Sequence, residues 1–106
     1  MDWPSDADGD VFRRLQESGF DFAAKHTIDF NMEFESWPPA KEVVTVLSAT
    51  YGGARIYQPD KNEPGYVLFQ ICDVLSYDLV MSVQREATAL LAPYGGVCES
   101  WGVLHG

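Results

Sequence analysis

From Ile28 to Glu35 apolar and polar side chains alternate without a break. Ile28, Phe30, Met32 and Phe34 fall on one side, and Asp29, Asn31, Glu33 and Glu35 on the other. A period of two is the mark of a strand with one face buried. Ahead of it, Val11, Phe12 and Leu15 recur at helical spacing behind Asp6, Asp8 and Asp10, whose charges suit a helix N-terminus. With Gly19 as a stop, a helix is predicted over residues 6–18. Beyond the strand, Pro38-Pro39 suits the first turn of a second helix, where a missing N–H costs little. Its stripe is Val43, Val44, Leu47 and Tyr51, and Gly52 ends it.

A short strand over 54–58, a polar turn over 59–65 and a strand over 66–72 come next. Ser76 then reads as an N-cap, with Asp78 in the first turn of a helix that runs to about Ala92. Leu79, Val80, Val83, Ala87, Leu90 and Leu91 face inward along it, and Pro93 and Gly95-Gly96 stop it. Residues 97–104 make the last strand. The order is one helix followed by β-α-β-β-α-β, the split βαβ or ferredoxin-like unit. The predicted fold is therefore α+β. A four-stranded antiparallel sheet in the order 4-1-3-2 carries helices on one face, and the extra N-terminal helix packs on that layer or caps an edge. At 106 residues the whole chain, 1–106, is one domain.

Helices on one face leave the other open, and turning charges outward orients each strand. The open face is then expected to show Asp29, Asn31 and Glu33; Arg55 and Tyr57; Tyr66, Leu68 and Gln70; and Val97, Glu99 and Trp101. Trp101 has two readings: an outward anchor for a partner, or a ring packed on the N-terminal arm against Trp3 or Pro4. Gly102 beside it is a residue type that permits a bulge or a close backbone approach.

Composition narrows the function. Hydrophobic residues at 46% support a real core, while 16 acidic against 7 basic side chains give a formal net charge of −9. That balance opposes phosphate backbones and anionic membrane surfaces. RNA-recognition domains share the fold and stack bases on sheet aromatics. Here Asp29 and Glu33 on the central strand would repel phosphates, and the aromatic-glycine signature of those domains is absent. An acidic, aromatic face suits a cationic polypeptide instead, because Arg pairs with carboxylates and stacks on rings. Met1-Asp2-Trp3-Pro4 has no basic start of a signal peptide and no apolar run exceeds four residues, so a cytoplasmic protein without membrane contact is expected.

Candidate chemistry is thin. Asp6, Asp8, Asp10 and Glu17 match positions 1, 3, 5 and 12 of a calcium loop, but Val11 stands where the loop needs Gly, and no helix precedes it. Helix capping accounts for the acids better. Cys72 and Cys98 are too few and too far apart for a zinc site or a disulfide framework, and read as two small buried thiols, both free. His26, expected in a loop, and His105 read as solvent-exposed. No nucleophile elbow, phosphate loop, zinc-protease or dinucleotide motif occurs. The expectation is a protein that is not an enzyme and needs no cofactor or metal.

The run Ile71-Cys72-Asp73-Val74-Leu75-Ser76, and Glu99-Ser100-Trp101-Gly102 after the last helix, resemble the ribonuclease E inhibitor protein B family. Asp8-Gly9-Asp10, Ser18-Gly19-Phe20-Asp21 and Ile28-Asp29-Phe30 are similar to its shorter members, so the likeness spans nearly the whole chain. Ser100 departs from a Gly common before the Trp. The resemblance implies a ferredoxin-like cytoplasmic regulator that binds the C-terminal scaffold region of ribonuclease E, with its arginine-rich stretches, and so changes RNA turnover. It implies no catalytic residues. Combined with the sheet reading, Asp29, Glu33, Tyr57, Tyr66, Glu99 and Trp101 are the expected partner-binding residues. The oligomeric state, monomer or weak dimer, is left open. A ligand-sensing domain of the ACT type, built on the same βαββαβ unit, is the alternative from a different class.

Overall fold

The computed structural model describes residues 3–103. Leu104, expected in the last strand, and His105 lie outside the described residues. Helix α1 spans Ala7–Glu17, strand β1 Lys25–Phe34, helix α2 Lys41–Tyr51 and strand β2 Ala54–Tyr57. Strand β3 then spans Tyr66–Val74, helix α3 Tyr77–Leu91, a 3₁₀ turn Ala92–Tyr94 and strand β4 Gly96–Val103. The strands form one antiparallel sheet in the order β2-β3-β1-β4, which read from the other side is the expected 4-1-3-2.

The central strand behaves as its alternation requires. Ile28, Phe30 and Met32 are wholly buried, while Asp29, Asn31 and Glu33 face away from them. Phe30 stacks on Phe69 of β3 with ring centroids 5.3 Å apart. From α2, Val43 and Leu47 close over this layer, and from α3 Val80, Ala87 and Leu91 do the same. Phe12 and Leu15 of α1 join the same core, so the extra helix lies on the helical layer.

Local chemistry sets the helix ends. Asp6 caps α1 by accepting from the Gly9 N–H at 2.7 Å, and Ser76 caps α3 by accepting from the Leu79 N–H at 3.1 Å. Gly9 also lets the chain ahead of α1 fold back onto it, since a Cβ there would strike the Pro4 carbonyl. Gly52 ends α2 in the left-handed conformation at φ 93°, which a side chain would disfavour.

Three expectations are corrected. Pro38-Pro39 does not open α2: the helix begins at Lys41 behind Ala40, and the prolines lie in the preceding loop, with Trp37-Pro38 cis. His26 is not in a loop but in β1, half-buried, 4.2 Å from the Phe20 ring and 2.7 Å from the Asp21 carbonyl through Nε2. The strand starts earlier than its alternation suggests because β3 runs on to Val74, which pairs with Lys25. The third is Trp101, whose side chain the register of β4 turns away from the open face.

Candidate functional site

Among the described residues no helix covers the second face of the sheet, and its side chains are set by register. On β1 it shows Asp29, Asn31 and Glu33; on β3 Tyr66, Leu68 and Gln70; and on β2 Arg55 and Tyr57. Gln70 donates from Nε2 to Asp29 Oδ1 at 2.7 Å, which fixes that carboxylate across the β1–β3 pair. Tyr57 and Tyr66 are paired across β2 and β3, and their rings stack at 4.9 Å and 13°. Tyr57 is 39% exposed, so the stack is open to solvent. The face therefore carries two carboxylates on its central strand, an open tyrosine pair toward one edge, and Arg55 and Leu68 between. Asp29, Glu33, Tyr57 and Tyr66 are all brought to it.

Strand β4 breaks its own alternation. Met32 pairs with Cys98 but Asn31 pairs with Ser100, so Glu99 is an extra residue, a bulge. Beyond a bulge every side chain changes face. Ser100 and Gly102 thus point to the open side, opposite Asn31 and Asp29, and Trp101 points to the helical layer, opposite Phe30. Asn31 donates from Nδ2 to Ser100 Oγ at 3.2 Å. Asn31 Oδ1 is covered and lacks a partner, and turning the amide over would let it accept from the Ser100 hydroxyl.

Trp101 is therefore not on the open face. Its ring lies 5.3 Å from Phe12 of α1, and its Nε1–H donates to Asp8 Oδ1 at 2.7 Å. Trp101 packs on α1, through Phe12 and Asp8, and Trp3 of the arm adds to the same cluster through Phe12. Trp3 stacks on Phe12 at 5.5 Å, and Phe22 completes the cluster. Gly102 is not a point of close approach, since a Cβ there would meet nothing within 4 Å. Glu99 is exposed at the bulge on the outer strand, which pairs with β1.

A second constraint ties α1 to α3: the Tyr77 hydroxyl donates to Asp6 Oδ2 at 2.6 Å. That bond, with the Gly9 N–H, holds the Asp6 carboxyl below its ordinary value and raises the Tyr77 phenol. Asp6 and Asp8 are thereby absorbed by helix capping and by Trp101. This strap was missed in the sequence. The one available signal was phase: Cys98 and the pair Trp101 and Val103 are apolar positions that a single strict alternation cannot place together.

The other reactive groups are dispersed. Both cysteines are free, but only Cys98, opposite Met32, is buried as expected; Cys72, opposite Thr27 in the stretch of β3 that β2 does not reach, is exposed. Burial pushes the Cys98 thiol up to about 12. Among the described residues no three His, Cys, Asp or Glu side chains gather where they could hold a metal ion, and no helix is long and apolar enough to cross a membrane. The open face offers charge, aromatic surface and hydrogen-bonding groups, which is the chemistry of recognition. No curated protein matches the chain. One family model does, over residues 5–103, and its description is regulator of ribonuclease activity B.

Proposed function

Because the chain belongs to the family of regulator of ribonuclease activity B, we propose that it regulates ribonuclease E by binding it. In this reading the protein is cytoplasmic and non-catalytic, and it takes the basic C-terminal scaffold region of the nuclease on the open sheet face. The observation that carries the reading is that face itself. Asp29 and Glu33 stand on its central strand, and the solvent-open Tyr57–Tyr66 stack stands beside them. Carboxylates accept bidentate bonds from guanidinium groups, and tyrosine rings offer the faces on which those groups stack. A formal net charge of −9 adds long-range attraction for a basic segment. Glu99 contributes charge from the bulged edge. Trp101 contributes indirectly, as a positioning residue that holds α1 against the last strand.

The test is surface binding of the purified protein to the scaffold segment across a salt series, beside a pull-down from cell extract scored for ribonuclease E. Association should weaken with salt as the Debye length falls from about 10 Å at 0.1 M to about 3 Å at 1 M. Asp29→Lys with Glu33→Lys should slow association and flatten the salt slope. If this double variant binds as the parent does, with the same slope, the sheet face is not the site.

A further inference from the structure

The strands of the sheet differ in length. β2 pairs with β3 only from Tyr66 to Phe69, whereas β1 pairs with β3 as far as Val74. Among the described residues, β3 therefore has one paired side and one free side from Gln70 to Val74. The Val74 N–H donates to the Asp73 side chain at 2.7 Å, which places it on the free side. Amide direction alternates along a strand, so the Cys72 N–H faces the same way. Cys72, Asp73 and Val74 are all exposed. On the opposite edge of the sheet the Cys98 N–H is already taken by Thr88 Oγ1 of α3 at 3.0 Å, and the edge strand is bulged at Glu99.

Each end of the free stretch opens into a cavity. Gln70 borders one of about 350 Å³ with Tyr51, Gly52 and Arg55. Val74 borders another of about 620 Å³ with Trp3, Phe12, Phe22 and Tyr77, where Asp78 also lines the wall. An added strand would cover the distance between them in about 13 Å, four residues of rise. The groups near the route carry a small acidic excess: three carboxylates, Asp73 and Asp78 beside it and Asp29 across β3, against two cations, Arg55 and Lys25. The same charge opposes a second copy, since two edges brought together would set Asp73 of each against the other on bodies of formal net charge −9.

We propose that the free edge Gln70–Val74 takes an extended, arginine-containing segment of a partner protein as a fifth strand, with one of its side chains seated in the aromatic cavity. The proposal rests on the protein-binding reading above and specifies its mode. Main-chain hydrogen bonds give such strand addition its affinity, and the flanking pockets give it selectivity. An arginine in the cavity would meet ring faces and the Asp78 carboxylate together.

The experiment is amide hydrogen exchange of the full chain, free and saturated with the arginine-rich scaffold segment of ribonuclease E. Exchange at Cys72 and Val74 should slow at least tenfold on binding. Cys72→Pro removes the outward N–H while leaving the β1 side of β3 intact, and should weaken binding at least tenfold; Cys72→Val should bind as the parent does. Should Cys72→Pro lose its cooperative melt, the exchange of the parent decides. Binding with no slowing at Cys72 or Val74 overturns the edge site and leaves the protein-binding reading standing. Failure of the parent to bind the segment at all overturns both. Slow exchange at Cys72 in the free protein, with a dimer mass, would assign the edge to a second copy and overturn the proposal.

Discussion

Removing the indole N–H of Trp101 while keeping a ring in its place isolates one contact of the α1 strap. Trp101→Phe retains packing against Phe12 but deletes the donor that reaches Asp8 at 2.7 Å. A hydrogen bond to a charged acceptor contributes about 1.5–3 kcal/mol when buried, and about 1 kcal/mol is expected here because both partners are half-buried and water replaces part of the loss. Asp8→Ala removes the same bond and also a carboxylate from the first turn of α1, worth a further ~0.3–1 kcal/mol at a helix N-terminus. The double variant should be less destabilised than the sum of the two by about 1 kcal/mol, the coupling of a pair in direct contact. Urea unfolding of all four proteins gives the cycle. Trp101→Ala, measured alongside, should lose about 3 kcal/mol, the low end for truncating a buried aromatic, because the ring keeps some exposure. Strict additivity, with a coupling under about 0.3 kcal/mol, would refute the strap as a stabilising bond. It would also reopen the outward position of Trp101.

Phe30→Ala should cost about 3–5 kcal/mol in urea melts, since its ring is wholly buried on Phe69, whereas Asn31→Ala on the open side should cost about 0.5–1 kcal/mol; equal losses would mean a strand buried on both faces. Stability should fall as pH rises from about 9 toward 12. Burial first, and then its bond to Glu86, raises the Tyr51 phenol, the bond to Asp6 raises Tyr77, and burial raises the Cys98 thiol, so the unfolded chain loses these protons before the folded one does. A urea midpoint unchanged between about pH 8 and pH 10.5 would contradict this, and thiol titration at pH 8 should find Cys72 reactive and Cys98 silent until denaturant is added.

The sequence was most informative where one physical rule acted alone. The uninterrupted alternation through Ile28–Glu35 placed the central strand on the correct face, because every second side chain had to be buried. Topology followed from the order of the elements, and Ser76 and Asp6 marked helix starts by chemistry that needs no tertiary partner. The misplacements arose where tertiary pairing overrides local pattern. Lys25, His26 and Thr27 join β1 only because β3 is long enough to pair with them. Pro38-Pro39 fits a helix start in isolation, yet Gly65 packs under the Trp37 ring and the loop is held out of the helix. Of the expected partner-binding residues, Asp29, Glu33, Tyr57 and Tyr66 share a face because their strands alternate cleanly. Trp101 does not, because one extra residue in β4, Glu99 itself, swaps the faces of the side chains beyond it.

The strap also bears on how the chain is made. The Trp101–Asp8 bond joins residues 93 positions apart, and the central strand takes its outer neighbour from the last of the described elements to be synthesised. Loops that long are slow to close, and contacts of high sequence separation delay folding. Until β4 emerges from the ribosome, α1 has no Trp101 to dock on, Phe30 and Met32 lack a lid on one flank, and Phe12 is left with only Trp3, Phe22 and Tyr77 around its ring. The sheet is therefore completed only after β4 has been made. A ribosome halted before β4 would display a sticky α1–β1–β3 intermediate, and chaperone capture should peak on nascent chains of that length.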